Sequence, residues 1–194
     1  MARKTFFSFH YERDAWRAAN VRNSGVLSDD DEFGFIDAAA WEKIERQGEA
    51  AIKRWIQEQL QNTTVTVVLI GAETASRDWV RYEIRESWKR GNAVIGLRIH
   101  GIKDQDSKTD AFGANPLDVV KFEDGTALSA VCKTYDWVAD KGREGLGEWL
   151  EEAVQAREDM DEDKIIAEEA KKSFTRATVT GPSLIQNPPK PWAR

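Results

Sequence analysis

Cysteine is nearly absent. Cys132 is the only one in 194 residues, so no intramolecular disulfide can form and a secreted disulfide scaffold is excluded. Histidine is almost as scarce: His10 and His100 fall in no HExxH or CxxC spacing, and a single thiol cannot complete a thiolate site, so no metal is expected. No apolar run approaches the roughly 20 residues of a membrane span. The one after the basic start, Phe6 to Phe9, is broken by His10, Glu12, Arg13 and Asp14, which argues against a signal peptide. A cytoplasmic chain making no membrane contact is the expectation. Proline is confined, with four of five residues lying from Pro182 onward. There is no GxSxG elbow, no phosphate loop ending in GK[ST] and no internal repeat.

What the chain does have is aromatic and charged. Eight Trp and eight Phe, 41% hydrophobic and 32% charged residues describe a folded protein, since disordered chains lack the aromatics that offset chain entropy. The net charge of −6, from 34 acidic and 28 basic residues, argues against nucleic acid as a partner, which needs a basic footprint. That charge is uneven. Glu144 to Glu169 holds eleven acids and two basic residues, a net of −9, which leaves the rest at +3 and weakens the charge argument. The length predicts one domain with an appendage: a domain over residues 1–150, then an acidic helix and Pro-rich tail over 151–194.

Thr5 to Phe9 reads as a short buried strand and Arg13 to Arg22 as a short helix. After the acids Asp29 to Glu32, Phe33 to Asp37 reads as a second strand. Trp41, Ile44, Ala51, Ile52, Trp55, Ile56 and Leu60 recur at three- and four-residue steps, predicting an amphipathic helix from Trp41 to Leu60. Thr64 to Ile70 is an apolar, β-branched run closed by Gly71, the pattern of a parallel strand buried on both faces. Ser76-Arg77-Asp78 offers N-caps for a helix to Arg90, Ala93 to His100 is the next strand, and Gly101 to Gly125 reads as a surface excursion with a turn at Asn115-Pro116. Cys132 to Val138 and Leu146 to about Phe174 complete the series as strand and helix. Strands alternating with helices predict an α/β fold with a parallel sheet.

Ligands in such folds bind beyond the C-terminal ends of the strands, where His10 and His100 are expected. His100 reads as a structural histidine and His10 as a candidate for the crevice. Ser8, His10 and Asp37 could be assembled into a triad on paper, but the missing elbow speaks against it. Gly142 to Gly147 reads as a turn into the last helix rather than a phosphate loop. On the helix after Ser76, Trp79 and Glu83 are i, i+4 neighbours at the margin of the face formed by Val80 and Ile84. Glu83 is then either a half-buried carboxylate beside an indole or an exposed one pairing with Arg90 or Lys53; spacing alone does not choose.

Phe6-Phe7-Ser8-Phe9, Asp37 at the end of strand two, the strand Thr66 to Ile70 and Ser76-x-x-Trp79-x-x-x-Glu83-Ile84 resemble TIR domains. More closely, Phe6 to Tyr11, Val21-Arg22-Asn23, Asp37-Ala38 with Trp41-Glu42, Val68 to Gly71, Trp79 to Ile84, Gly91-Asn92 and Tyr135 to Val138 look like the TIR-like proteins of Thoeris antiphage defence. The resemblance covers about residues 1 to 100 well and leaves the acidic helix and tail uncovered. It implies a flavodoxin-like sheet flanked by helices, with a C-terminal helical extension. It also implies an enzyme that cleaves NAD at the nicotinamide N-glycosidic bond, with NAD as substrate and no cofactor. Glu83 would be the catalytic glutamate, with Phe7, Ser8, His10 and Asp37 lining the nicotinamide and ribose pocket and Trp79 stacking or filling space. The family makes a cyclic ADP-ribose-type messenger that activates a partner effector after a phage-derived trigger, and self-association is common in it. Two alternatives stay open: a non-catalytic TIR module that signals by assembly, and a nucleoside deoxyribosyltransferase-like enzyme.

Overall fold

The computed structural model describes residues 4–25, 43–44 and 46–179, with side chains described as far as residue 162. Strand β1 (Thr5–Ser8), helix α1 (Tyr11–Arg22), helix α2 (Glu49–Gln59), strand β2 (Val65–Ile70), helix α3 (Asp78–Lys89) and strand β3 (Ala93–Arg98) follow in order. They are succeeded by the short helix α4 (Pro116–Val119), strand β4 (Thr134–Asp136) and helix α5 (Gly142–Val179). The four described strands are all parallel in the order β1-β2-β3-β4. Contacts divide the chain into two units, Met1–Arg157 and Glu158–Arg194.

Alternation along the strands decides what each side of the sheet meets. Phe7, Val65, Val67, Leu69, Ala93, Ile95 and Leu97 pack with Ala18 and Val21 of α1 and with Leu146, Leu150 and Val154 of α5. The other face carries Phe6 toward Ile52, Ile56 and Leu60 at α2, and Val68, Ile70 and Val94 toward Val80 and Ile84 of α3. Both faces of the central strands are covered, which is why β2 reads as an unbroken apolar run. Tyr135 of β4 stacks on Trp149 of α5, with centroids 4.1 Å apart and rings 4° from parallel.

Several elements differ from the sequence reading. The helix expected from Trp41 to Leu60 is interrupted: Lys43 and Ile44 are helical, residues 46–47 turn, and α2 starts at Glu49 after Gly48 adopts φ 88°, a left-handed conformation suited to glycine. Trp41 and the expected strand Phe33 to Asp37 lie outside the described residues. Gly101 to Gly125 is not wholly irregular: Asn115 Oδ1 accepts from the Leu117 N–H at 3.0 Å and Pro116 occupies the first turn of α4, a cap-plus-proline start. The last strand shrinks to three residues, and α5 starts four residues early, absorbing Gly142 to Gly147 into helix. No described helix is long and apolar enough to cross a membrane.

Candidate active site

Ser8 is the last residue of β1 and shares the face of Phe6, the face that α3 covers. From α3, Glu83 reaches the same point, and Ser8 Oγ donates to Glu83 Oε2 at 2.5 Å across 75 positions of sequence. Glu83 is 7% exposed and so is neither the half-buried nor the exposed flank residue that the spacing left open. Neither of the basic partners considered for it takes part: Lys53 pairs with Glu49 at 2.5 Å, and Glu83 has the Ser8 hydroxyl instead. The cause is the width of the buried face. Val80, Glu83, Ile84 and Ser87 are all buried on α3, so the inward stripe takes in the Glu83 position.

Burial pushes the Glu83 carboxyl up to about 8, and the Ser8 hydrogen bond opposes the shift. Ser8 occupies Oε2 and leaves Oε1 without a hydrogen bond among the described residues. The backbone beneath is held by a second relay: Thr66 Oγ1 donates to Ser87 Oγ at 2.8 Å, and Ser87 Oγ donates to the Glu83 carbonyl at 2.7 Å. Sequence reasoning did not single out Thr66 or Ser87. The signal was there, since both are polar residues at core positions of otherwise apolar elements.

The remaining candidates divide. His10 follows β1 and is buried, with neither ring nitrogen hydrogen-bonded; its Nε2 lies 3.6 Å from Glu12 Oε2, outside hydrogen-bond reach. Desolvation, then Arg77, lower its pKa, so the ring is neutral near pH 7. Because Ser8 is engaged by Glu83 and His10 by no hydrogen bond, the paper triad does not form; Asp37, its third member, lies outside the described residues. Alternation sends Phe7 into the core on the α1 and α5 side, on the face of β1 opposite Ser8. Trp79 packs beside Phe6, Ile52, Ile56 and Leu60, edge-on to Tyr82 at 5.9 Å. His100 sits with its Nδ1 3.6 Å from Asp136 Oδ2 and edge-on to Phe112. Among the described residues no group of three or more His, Cys, Asp or Glu could hold a metal ion.

A second concentration of charge lies on α1. Asp14 is fully buried against Gly71, where an added Cβ would come within 2.2 Å of its carboxylate. Both Asp14 oxygens lack a hydrogen bond. Burial raises this acid to about 6, against the pull of Arg17, whose guanidinium is 3.9 Å away. Arg17 is itself buried and donates to the Ile102 and Lys108 carbonyls at 2.9 and 3.2 Å, tying α1 to the segment after β3. An open cleft of about 230 Å³ lies alongside, lined by Glu12, Arg13, Trp16, Arg17, Asp104 and Asp106 among others, and includes neither Ser8 nor Glu83.

A parallel sheet with helices on both faces, carrying a buried carboxylic acid from the helix after β2 against the end of β1, defines a flavodoxin-like α/β domain of the TIR kind. The chain belongs to the Thoeris ThsB family: residues 6–104 match the family described as Thoeris protein ThsB, TIR-like domain. It is also 34% identical to the ThsB1 protein of Bacillus cereus (strain MSX-D12), over 77% of this chain and the whole of that one. Cyclic ADP-D-ribose synthase activity is ascribed to that relative.

Proposed function

We propose that this chain cleaves the nicotinamide N-glycosidic bond of NAD and closes the ADP-ribosyl unit into a cyclic ADP-ribose-type messenger, with Glu83 as the catalytic carboxylate. The observation that carries the reading is the Ser8–Glu83 pair: a buried acid fixed by one hydroxyl through Oε2, with no hydrogen bond to Oε1 among the described residues. In the reaction the bond from ribose C1′ to the nicotinamide nitrogen breaks, and its electron pair leaves with neutral nicotinamide. No general acid is required for that departure. The ribosyl fragment is left oxocarbenium-like, and an anion held in a low-dielectric site stabilises that charge strongly. A nucleophile of the same molecule then bonds to C1′ and gives up its proton, which closes the ring.

The raised pKa of Glu83 fits this sequence of events. Empty, the site holds a neutral acid; the cationic nicotinamide ring of NAD favours the anion and draws the proton off. His10 at the end of β1 serves as a neutral substrate-binding residue, and Asp37 is a further one. NAD is substrate throughout, with no cofactor. The identity of the relative supports messenger synthesis, and a diffusible product implies an effector protein that reads it after a phage-derived trigger, within the cytoplasm.

The test is nicotinamide release from NAD by purified protein and by extract of phage-infected cells, with Glu83→Gln beside the parent. Release with a cyclic product, falling at least about 100-fold in the variant, supports the proposal. No release from the infected extract favours a TIR module that works by assembly. Base exchange on deoxynucleosides without NAD cleavage favours a deoxyribosyltransferase-like enzyme.

A further inference from the structure

Beyond β1 and β2 two guanidinium groups share one carboxylate. Arg13 Nη1 donates to Glu73 Oε1 at 3.0 Å, and Arg77 Nη2 donates to Glu73 Oε2 at 3.0 Å. Asp110 engages the other edge of Arg13 at 2.9 and 2.9 Å. All three members of the Arg13–Glu73–Arg77 bridge keep their side chains 40% to 47% exposed, so an outside anion can compete with Glu73 for the guanidinium pair. Arg77 is also the N-cap of α3, and no side chain caps that helix. Ser76, the cap expected from the sequence, turns back to donate to the Glu73 carbonyl at 2.7 Å, and Asp78 is taken by Arg81. A helix start left in this state favours an anion through its N–H groups and dipole.

Two orphaned donors point to the same place. Arg77 Nε is buried with no hydrogen-bond partner. His10, whose side chain is 8% exposed, has neither ring nitrogen hydrogen-bonded and feels the charges of Arg77, Glu12 and Glu73. Buried donors without partners are rare in folded chains, and a bound ion or ligand is one of the things that satisfies them. Six residues of helix separate Arg77 from Glu83, a rise of about 9 Å, comparable to the reach from a ribose C1′ to the diphosphate beyond its 5′ oxygen.

We infer that Arg13, Arg77, His10 and the start of α3 form a diphosphate subsite, with Glu73 as the internal anion that the ligand displaces. This rests on the NAD reading for its ligand, the diphosphate linkage of the dinucleotide. Glu73 holds the two guanidinium groups in place while the site is empty and weakens binding by occupying them.

Calorimetric titration of the full chain with inorganic pyrophosphate reads the subsite without any turnover. Arg77→Gln should weaken pyrophosphate at least about 10-fold, and Glu73→Gln should tighten it several-fold. Nicotinamide riboside, which has the scissile bond and no phosphate, should bind parent and variants alike. The inference is overturned if the parent does not bind pyrophosphate, if Arg77→Gln binds it as the parent does, or if Glu73→Gln weakens it. A general folding defect would weaken the riboside too, and that result also counts against the subsite. Nicotinamide release from NAD separates the two claims. Pyrophosphate binding as expected without NAD cleavage in infected extract removes the dinucleotide and leaves an anion site. NAD cleavage with an unchanged KM in Arg77→Gln removes the subsite and leaves the enzyme.

Discussion

Glu83 sits where a carboxyl group is costly to ionise, whereas the proposed chemistry asks for the anion. The folded chain holds its proton up to about pH 8, against an ordinary value of 4.5. Between those values the folded state binds a proton that the unfolded state has released, so stability from this group is complete below about 4.5 and is lost as pH rises through 8. Glu83→Gln, neutral at every pH, should therefore melt several degrees above the parent at pH 9, with a smaller difference at pH 5; differential scanning fluorimetry at the two pH values reads this. Activity runs the opposite way. The kcat/KM for NAD should climb with pH to a plateau above about 8, and Ser8→Ala, which removes the interaction that lowers the acid's pKa, should move the rising limb to higher pH. A limb that stays in place would separate Ser8 from the titrating group. The sequence made Ser8, Glu83 and His10 visible through motif and strand position. It could not reveal that Ser8 and Glu83 bond to each other, because that contact depends on strand register and helix rotation together.

At the scale of elements, the segments that pair or pack tightly are those with small or charged residues at fixed points. Gly96 of β3 lies beside β4, where an added Cβ would stand 2.7 Å from Thr134 Oγ1 and 3.0 Å from Ile70 Cδ1. Gly96→Ala should cost about 1–3 kcal/mol by overpacking, measured by urea unfolding. Arg17 binds α1 to the segment after β3 through two carbonyls and Asp104. Arg17→Met should cost about 3 kcal/mol, since it leaves Asp14 buried without its neighbouring charge, and limited proteolysis between residues 101 and 113 should quicken with it. A proteolysis rate equal to the parent's would mean that this segment is held by something else. Periodicity located α1, α3, β2 and β3 within a few residues. It missed α4, a four-residue helix whose start depends on one Asn side chain, and it overran Gly48, where a positive φ interrupts a sequence pattern that continues smoothly.

Over the whole molecule, charge and packing divide the last helix. Leu146, Leu150 and Val154 of α5 are buried against the sheet, and Arg157 lies with its guanidinium 4.0 Å from the Trp88 ring centroid. Beyond it the acids accumulate: residues 158 to 169 hold seven of the eleven in Glu144 to Glu169. A chain ending after Arg157 should keep a single cooperative melt within a few degrees of the parent, whereas one ending before Leu146 should lose it, because the part of the sheet that Leu146, Leu150 and Val154 pack against would be uncovered. A broad or absent transition in the chain ending after Arg157 would place structural weight on residues 158–194.

The sequence alone determined the class of fold and the family resemblance, because alternation, helical period and the order of unusual motifs are local properties that survive without coordinates. It also excluded an intramolecular disulfide, through its one cysteine. Tertiary structure decided the chemistry of the site. Only the packed sheet could bury Glu83, bring the Ser8 hydroxyl to it across 75 positions, turn Phe7 to the opposite face, and leave His10 and Arg77 Nε without partners. Desolvation and long-range hydrogen bonding belong to the assembled interior, and no single stretch of chain contains them.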